Sequence, residues 1–267
     1  IDEDTRGRHD EAITALPILE SVTRCDGNSE CQSAEFESHM CPTYRATGDP
    51  KHSPRGRAEL IRDWLGRLHT KELRGGNFLQ KLFASRSNDD FSHEVFEALE
   101  GCLSCKACAN DCPMQIDIPS VRSEFYAIYF GRYFRPVRDH LWCNMERMLP
   151  FMSSTFGKLL PTAFFASLVG IVDAPTPTRK LSLQSYTPSQ AIQRQASVVI
   201  LQDTFTTYFR HEVIVALQRI LTHLGHSVAI IECRPNGKAM HVRGKLSTFD
   251  SLAQKNTRWL TPLHQAN

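Results

Sequence analysis

The feature that most constrains this chain is the dense group of cysteines in GCLSCKACANDCP, residues 101–113. It places Cys102, Cys105, Cys108 and Cys112 within one short stretch. Cysteines this close together serve either as disulfide partners or as thiolate ligands of a metal. Disulfide frameworks occur mainly in small secreted proteins, whereas this chain has 267 residues, an odd total of nine cysteines and no recognisable signal peptide. The pattern therefore favours metal ligation.

The spacing C-x2-C-x2-C-x3-C-P is that of the bacterial ferredoxin motif, which holds a [4Fe–4S] cluster. Two-residue spacers let a coiled loop turn three sulfurs towards one cluster, while the backbone amides of the loop offset negative charge. The fourth cysteine, which precedes a proline, serves the other cluster in two-cluster ferredoxins. We therefore expect Cys102, Cys105 and Cys108 to share one cluster and Cys112 to face elsewhere.

A cysteine from another segment is then needed to complete the first cluster. Cys41 is the candidate because Pro42 follows it, in the sequence MCPTY. The predicted ligands of the first [4Fe–4S] cluster are thus Cys41, Cys102, Cys105 and Cys108.

Three clustered thiols remain, Cys25, Cys31 and Cys112, and they define a candidate second site. Five residues separate the first two, in CDGNSEC, instead of the usual two. Three thiolates could hold a [3Fe–4S] cluster, or a second [4Fe–4S] cluster with a non-cysteine fourth ligand. They could also leave the site without a cluster. The nearest candidates for a fourth ligand are Asp26, Asn28 and His39.

Zinc is the alternative metal, and it would make the segment a structural or interaction module. Zinc sites usually combine two well-separated pairs of cysteines or histidines, which this spacing fits poorly. Cys143 and Cys233 stand alone, and we interpret both as ordinary buried or surface thiols. Arg55 and Arg57 either lie in a solvated loop or support a cluster loop or a redox partner through multidentate hydrogen bonds.

Charge and hydropathy argue against some classes of function. The formal net charge of +2 is too small to indicate binding to nucleic acid. The longest apolar run, LLPTAFFASLVGIV at residues 159–172, is too short to span a bilayer and contains Pro161. Without a secretion signal, we expect a cytoplasmic location, with a peripheral position at the inner membrane as the alternative.

Residue patterning divides the chain into four parts. We expect a lead-in at 1–20, a helical ferredoxin-type domain at 21–140, short helices and a linker at 141–190, and a partial α/β domain at 191–267. In the second part, apolar residues at helical spacing predict helices over 60–68, over 91–103 and after Pro119. From 141 to 173, breaks at Pro150 and Pro161 predict short helices.

The last part changes character. A short buried strand at 197–203, an amphipathic helix at 208–225 and a second strand at 226–232 predict a right-handed βαβ unit with parallel strands. Two strands cannot bury both faces of a sheet, so this domain is small or partial. The expected fold class is mainly α, with a helical ferredoxin-like domain followed by a partial α/β domain of the cysteine-rich type.

Two stretches together, CDGNSEC…MCPTYRATGDPKHSPRGRAELIR and CLSCKACANDCPMQIDIPSVRSEF, resemble the iron–sulfur half of FAD-linked D-2-hydroxyacid dehydrogenases. The resemblance is strongest to large bacterial fused enzymes of the D-2-hydroxyglutarate or D-lactate dehydrogenase type. The iron–sulfur subunit of glycolate oxidase is more distantly similar. In that family a flavin domain precedes a helical ferredoxin domain and a terminal cysteine-rich domain, so the resemblance implies the C-terminal iron–sulfur part here.

The resemblance implies that a D-2-hydroxyacid is oxidised at the flavin and that electrons leave through the cluster. The FAD-binding half is not found in these residues, so the chain would supply the electron relay and no catalytic residue. The implied partners are an FAD-binding dehydrogenase domain or subunit and an acceptor, either a quinone or a soluble carrier. The paired-cysteine motif frequent in the terminal domain is represented only by Cys233. An iron–sulfur subunit of another quinone-linked or heterodisulfide-reductase-like complex is the alternative function.

Overall fold

The computed structural model describes residues 21–33, 41–67, 81, 90–153 and 184–266. They form two compact units. The first contains the described residues up to Arg135 together with His241–Leu246, and the second contains Pro136–Met240 and the residues from Ser247 onwards. Helices dominate both units and the second holds a small sheet, which confirms the expected fold class.

The first unit is built from helices around two cysteine loops. Its α-helices are α1 (Pro42–Thr47), α2 (Pro54–Arg67), α3 (Phe91–Glu100), α4 (Ala107–Asp111) and α5 (Ile118–Arg132), with short 3-10 helices at Ser21–Arg24, Glu30–Gln32 and Pro50–His52. Asp90 and Asp117 cap α3 and α5 by accepting hydrogen bonds from the backbone N–H groups of Ser92 and Ser120. Pro119 lies in the first turn of α5. The helices predicted in this region are therefore confirmed.

The apolar faces of α2, α3 and α5 pack into one core. Trp64 and Phe125 meet edge to face, with ring centroids 4.9 Å apart. The indole Nε1 of Trp64 donates a hydrogen bond of 2.9 Å to the Ser92 hydroxyl, so its polar group is satisfied. Cys102 and Cys108 belong to the same buried cluster. The helical core thus carries the cysteine loop directly on its surface.

From residue 136 onwards the elements are α6 (Val137–Met152), α7 (Pro188–Gln193), β1 (Val198–Leu201), α8 (Thr204–Phe209), α9 (His211–His223), β2 (Val228–Ile231), α10 (Lys238–Val242) and α11 (Leu246–Gln265). The two strands pair in parallel, with Val198 opposite Val228. Ile200, Ile214 and Ile230 form the small core between sheet and helix. This confirms the predicted parallel βαβ unit.

The helices of the second unit differ from the prediction in two places. The expected helix over 208–225 is two helices, because Asp203 caps a separate short helix and Arg210, with φ −140°, leaves the helical conformation. The expected break at Pro150 is absent, since α6 continues to Met152. A proline in the last turn removes one intrahelical hydrogen bond without ending the helix there. Helix α6 also runs across the boundary predicted at residue 140.

The predicted linker ends earlier than residue 190. The backbone N–H of Tyr186 donates to the Ile230 carbonyl at 2.9 Å, and the N–H of Glu232 donates to the Tyr186 carbonyl at 3.0 Å. Tyr186 therefore extends the sheet beside β2. Helix α7 then begins behind a capping box in which the side chains of Thr187 and Gln190 bond each other's backbone N–H groups. The sheet contacts of Tyr186 and the local capping box thus give regular structure to residues whose composition predicted a loop.

Several predictions fall outside the described residues: the lead-in at 1–20, the candidate ligand His39, the apolar run at 159–172 and the larger part of the linker. Among the helices of the described ranges, none combines the length and the apolar character needed to cross a membrane.

Candidate metal centre

Seven of the nine cysteines line two pockets of the first unit. The cysteines of the first pocket are Cys41, Cys102, Cys105 and Cys108. Those of the second pocket are Cys25, Cys31, Cys108 and Cys112. The empty volumes are about 310 and about 400 Å³, including space open to solvent. Because these volumes include solvent space, each pocket is a recess at the surface of the first unit, with four cysteines in its lining.

The loop of residues 102–108 is held in a demanding backbone conformation. Ser104 and Lys106 both have positive φ angles, 54° and 64°, which non-glycine residues rarely adopt outside constrained sites. Arg122 stabilises the loop by donating hydrogen bonds to the Cys102 carbonyl and, at 2.8 Å, to the Ser104 hydroxyl. The Nζ atom of Lys106 donates to Asp117 at 2.7 Å. The loop is thereby fixed to the first two turns of α5.

Cys41 reaches the first pocket from the start of α1. Its thiol lies 3.2 Å from the His52 carbonyl and 3.6 Å from Nη1 of Arg57. Arg57 is only 2% exposed and donates from Nε to the Ala98 carbonyl at 2.9 Å. Its Nη2 atom has no hydrogen-bond partner among the described residues. The solvated-loop interpretation is therefore wrong for Arg57, because this residue lies on the buried face of α2.

The second loop, residues 25–31, is braced by Arg55. The Nη1 atom of Arg55 donates to the Gly27 carbonyl at 2.9 Å and to the Ser29 hydroxyl. Its Nε atom forms an ion pair with Glu59 at 2.8 Å, and about a third of the side chain (34%) is exposed. Arg55 thus supports a cysteine loop from a more open position than Arg57. Two of the predicted fourth-ligand candidates also line the second pocket: Asp26 and Asn28.

The pockets disfavour free thiolates in the absence of positive charge. Burial raises the pKa of the Cys108 thiol to about 12, although the backbone N–H of Ile118 acts in the opposite direction. Burial also raises the pKa of Cys31, against a hydrogen bond from the backbone of Arg55. A coordinated metal deprotonates a thiol outright, and thiolates are the ligands that iron–sulfur clusters use. The donor set therefore fits an iron–sulfur group.

Other arrangements of ligands are not found in the described part of the chain. No three histidine, cysteine, aspartate or glutamate side chains there are grouped closely enough to hold a single metal ion. Cys143 is buried, with its thiol 3.9 Å from the Ala239 carbonyl, and the Cys233 thiol lies 3.9 Å from the Thr204 hydroxyl. Neither of these two cysteines lines the pockets.

The side chains that fix the first loop, Arg122, Lys106 and Asp117, were not among the predicted site residues. One signal was available, because Asp117 with Pro119 and Ser120 forms a helix start of the type Asp-x-Pro-Ser. That signal places Asp117 at the first turn of α5, near the cysteine loop. Nothing in the local sequence indicates that Arg122 turns inwards rather than to solvent.

Comparison with known proteins agrees with this geometry. Residues 21–116 match the family described as the 4Fe–4S dicluster domain. This range contains all seven cysteines that line the two pockets. The matched segment thus carries the donor set of an iron–sulfur protein.

Curated relatives extend the similarity over nearly the whole chain. The D-2-hydroxyglutarate dehydrogenase of Pseudomonas putida is 34% identical over 91% of this chain and 28% of its own length. That of Escherichia coli is 33% identical over 97% of this chain and 30% of its own length. The chain therefore spans less than a third of these relatives.

A shorter match involves a different kind of protein. The Hdr-like menaquinol oxidoreductase iron–sulfur subunit 2 of Archaeoglobus fulgidus is 35% identical over 82 residues, which are 30% of this chain and 14% of the relative. No solved structure matches the chain at a significant level.

Proposed function

We propose that this chain, which carries a 4Fe–4S dicluster domain and is related to one part of the D-2-hydroxyglutarate dehydrogenases, is the electron-transfer portion of an FAD-linked D-2-hydroxyacid dehydrogenase. The observation that carries this proposal is the pair of cysteine-lined pockets within the matched segment. When bound, iron–sulfur clusters take up and release single electrons. The chain itself supplies thiolates, backbone N–H groups and an apolar shell, and this task requires no acid–base residue.

In this proposal, Cys41, Cys102, Cys105 and Cys108 hold a [4Fe–4S] cluster in the first pocket. Their common lining of one pocket supports the assignment. Cys108 also borders the second pocket, but its two-residue spacing from Cys105 groups it with the first. The buried guanidinium of Arg57 beside Cys41 would stabilise negative charge held in this pocket.

Cys25, Cys31 and Cys112 hold a second cluster, of the [3Fe–4S] or [4Fe–4S] type. The shared pocket and the match to a dicluster family support this assignment. Each pocket would then receive its cysteine–proline ligand from the other motif: Cys41 is contributed to the first pocket and Cys112 to the second. Such an exchange would tie the two cysteine segments together, because neither cluster could form from one segment alone.

The complete enzyme would oxidise D-2-hydroxyglutarate, the substrate in the names of the two dehydrogenases. An FAD-binding domain or subunit would deliver electrons to the clusters, and a quinone or a soluble carrier would accept them. We place this electron transfer in the cytoplasm or at the inner face of the membrane.

The proposal can be tested by combining the chain with the FAD-binding segment of a related dehydrogenase. The anaerobically purified chain alone should be brown and should not oxidise D-2-hydroxyglutarate. Addition of the flavin segment and substrate should reduce the clusters, as followed by electron paramagnetic resonance (EPR). Absence of iron and acid-labile sulfide would contradict the proposal, and so would substrate turnover by the chain alone.

The match to the Hdr-like subunit favours a second candidate, an iron–sulfur subunit of a quinol-linked complex. EPR of the same purified chain, before and after reduction, distinguishes the two functions. Reduction of the clusters by a menaquinol analogue, with no reduction by flavin segment and D-2-hydroxyglutarate, would favour this second function. The opposite result would favour the dehydrogenase.

A further inference from the structure

The two cysteine loops follow the same backbone course. In each loop the residues two and four positions after the first cysteine have positive φ angles, and a helical turn begins immediately afterwards. The residues with positive φ are Gly27 (75°), Ser29 (64°), Ser104 (54°) and Lys106 (64°). The conformations agree although the residue types differ, so position 25 of one loop corresponds to position 102 of the other.

In this correspondence, Cys31 is equivalent to Cys108, and Asn28 is equivalent to Cys105. The five residues between Cys25 and Cys31 are therefore two ordinary two-residue gaps on either side of a non-cysteine position. Asn28 and Cys105 also agree in environment, since both are exposed and each lines the pocket of its own loop.

The side chain of Asn28 is engaged locally. Its Oδ1 atom accepts a hydrogen bond of 3.2 Å from the backbone N–H of Glu30, as short polar side chains commonly do in turns. The backbone N–H of Asn28 in turn donates to Asp26 at 3.1 Å. The amide of Asn28 thus holds the turn rather than offering a free oxygen to the pocket.

We propose that position 28 is a vacant ligand position, so that the second pocket binds its cluster through Cys25, Cys31 and Cys112 alone. This inference rests on the proposed function and deepens it. The iron at the fourth corner has no protein thiolate, and it is open to water or another small oxygen ligand. It is also the iron that this protein loses first on oxidation, because the other corners are held by thiolates.

Oxidation with ferricyanide tests whether one iron of the cluster lacks a thiolate ligand. Ferricyanide removes one electron from a [4Fe–4S]²⁺ cluster. When one iron lacks a thiolate ligand, the oxidised cluster splits into [3Fe–4S]⁺ and Fe²⁺. The three positive charges and four irons of the oxidised cluster are conserved in these products. Ferricyanide is reduced to ferrocyanide in the same step. Four thiolates retain all four irons under the same mild treatment, so the first pocket serves as an internal reference.

The test uses the whole chain, reconstituted anaerobically with iron and sulfide and then titrated with ferricyanide. The parent protein should release about one Fe²⁺ per chain and develop the EPR signal of an oxidised three-iron cluster. Asn28→Cys should abolish both the release and the signal. Asn28→Ser is the matched control and should behave as the parent protein does.

The reciprocal change tests the same correspondence from the other loop. Cys105→Asn should make the first pocket resemble the second, so that about two Fe²⁺ are released per chain instead of one. Both positions are exposed, and circular dichroism of the helices shows whether each variant is folded. If Asn28→Cys fails to fold, release of one Fe²⁺ by the parent protein and of a second by Cys105→Asn still supports the inference, and no release by the parent protein contradicts it.

Three results would overturn the inference. One is undiminished iron release from folded Asn28→Cys, and another is a parent protein with about eight irons that releases none. A parent protein with about four irons and no release would also overturn it, while leaving a one-cluster electron relay intact. Complete absence of iron and sulfide would instead contradict the proposed function.

Discussion

The two cysteine loops share a backbone course but differ in how deeply they are embedded. In the first loop, Cys102 is 9% and Cys108 is 7% exposed, and both belong to the helical core. In the second loop, Cys25 and Cys31 are only half-buried. The comparison shows that two loops with the same local conformation can be buried to different extents. The first loop is part of the core, whereas the second is attached to its edge.

The arginines that support the two loops differ in solvent exposure in the same way. Arg122, which holds the first loop, is 5% exposed, whereas 34% of the Arg55 side chain is exposed on the second loop. Water screens an exposed charge and competes for its hydrogen bonds. Removal of an exposed charged side chain therefore changes the stability of the protein less than removal of a buried one. We therefore expect matched substitutions in the two loops to have unequal effects.

The largest difference is expected between Cys102→Ser and Cys25→Ser. Cys25→Ser leaves two thiolates and should remove the second cluster, whereas Cys102→Ser leaves three in the first pocket and should make its cluster labile; only Cys102→Ser should also lower the melting temperature strongly. Its thiol is part of the packed core, and metal binding of this kind contributes directly to folding. Iron and sulfide analysis together with anaerobic thermal unfolding measures both effects. If both variants lowered the melting temperature equally, the two loops would contribute equally to the packed core, contrary to this prediction.

A smaller difference is expected between Arg57→Gln and Arg55→Gln. Loss of Arg57 leaves the buried Ala98 carbonyl without its charged donor, which should lower the free energy of unfolding by about 2 kcal/mol. The effect of Arg55→Gln should be smaller because that guanidinium is open to solvent.

The same pair of variants also tests electrostatics. Removal of a positive charge beside Cys41 disfavours the more negative reduced state, so Arg57→Gln should lower the reduction potential of the first cluster. Arg55→Gln should leave that potential unchanged. Chemical denaturation and redox potentiometry give the two readouts. An unchanged first potential in folded Arg57→Gln would contradict the electrostatic role.

The smallest effect is expected for Asp117→Asn. Burial raises the pKa of Asp117, but hydrogen bonds from Lys106 and Ser120 outweigh it and hold the pKa below its usual value. A carboxyl group with a lowered pKa contributes stability above its unfolded pKa of about 3.9, and this stability is lost as the pH falls through the folded pKa.

The difference in stability between the parent protein and Asp117→Asn should therefore stay constant from about pH 8 to about pH 5. The control is Asp26→Asn in the second loop, where no lysine contact to the carboxylate is found among the described residues. Unfolding curves at several pH values measure both variants. A difference that narrows within this range would show that another group is involved.

Local sequence signals predicted much of this fold. Asp117 and Pro119 mark the start of α5, and short apolar runs mark the two strands. Cysteine spacing and the proline after Cys41 also led to two predicted groups of ligands. Each group lines one pocket, with Cys108 at both, and the assignment of ligands stays a prediction. Each of these signals depends on neighbouring residues or on chemistry that only a few residue types provide.

Tertiary contacts determined the remainder. Arg57 lies in the first turn of an amphipathic helix, where a charged side chain usually faces water, but its contacts with Ala98 and Cys41 lie inside the unit. Ser104 and Lys106 have no intrinsic preference for positive φ, so the shape of the first loop could not be predicted from their types. The helix break at Arg210 was also missed, because apolar residues continue at helical spacing on both sides of it.

The central claim is that each pocket takes its cysteine–proline ligand from the other motif. It is tested most directly by EPR-monitored redox titration of Cys41→Ser, Cys105→Ser and Cys112→Ser. We predict that Cys41→Ser and Cys105→Ser alter the same cluster signal, while Cys112→Ser alters the other. If Cys41→Ser instead altered the signal that Cys112→Ser alters and left that of Cys105→Ser intact, the exchange of ligands between the motifs would be contradicted.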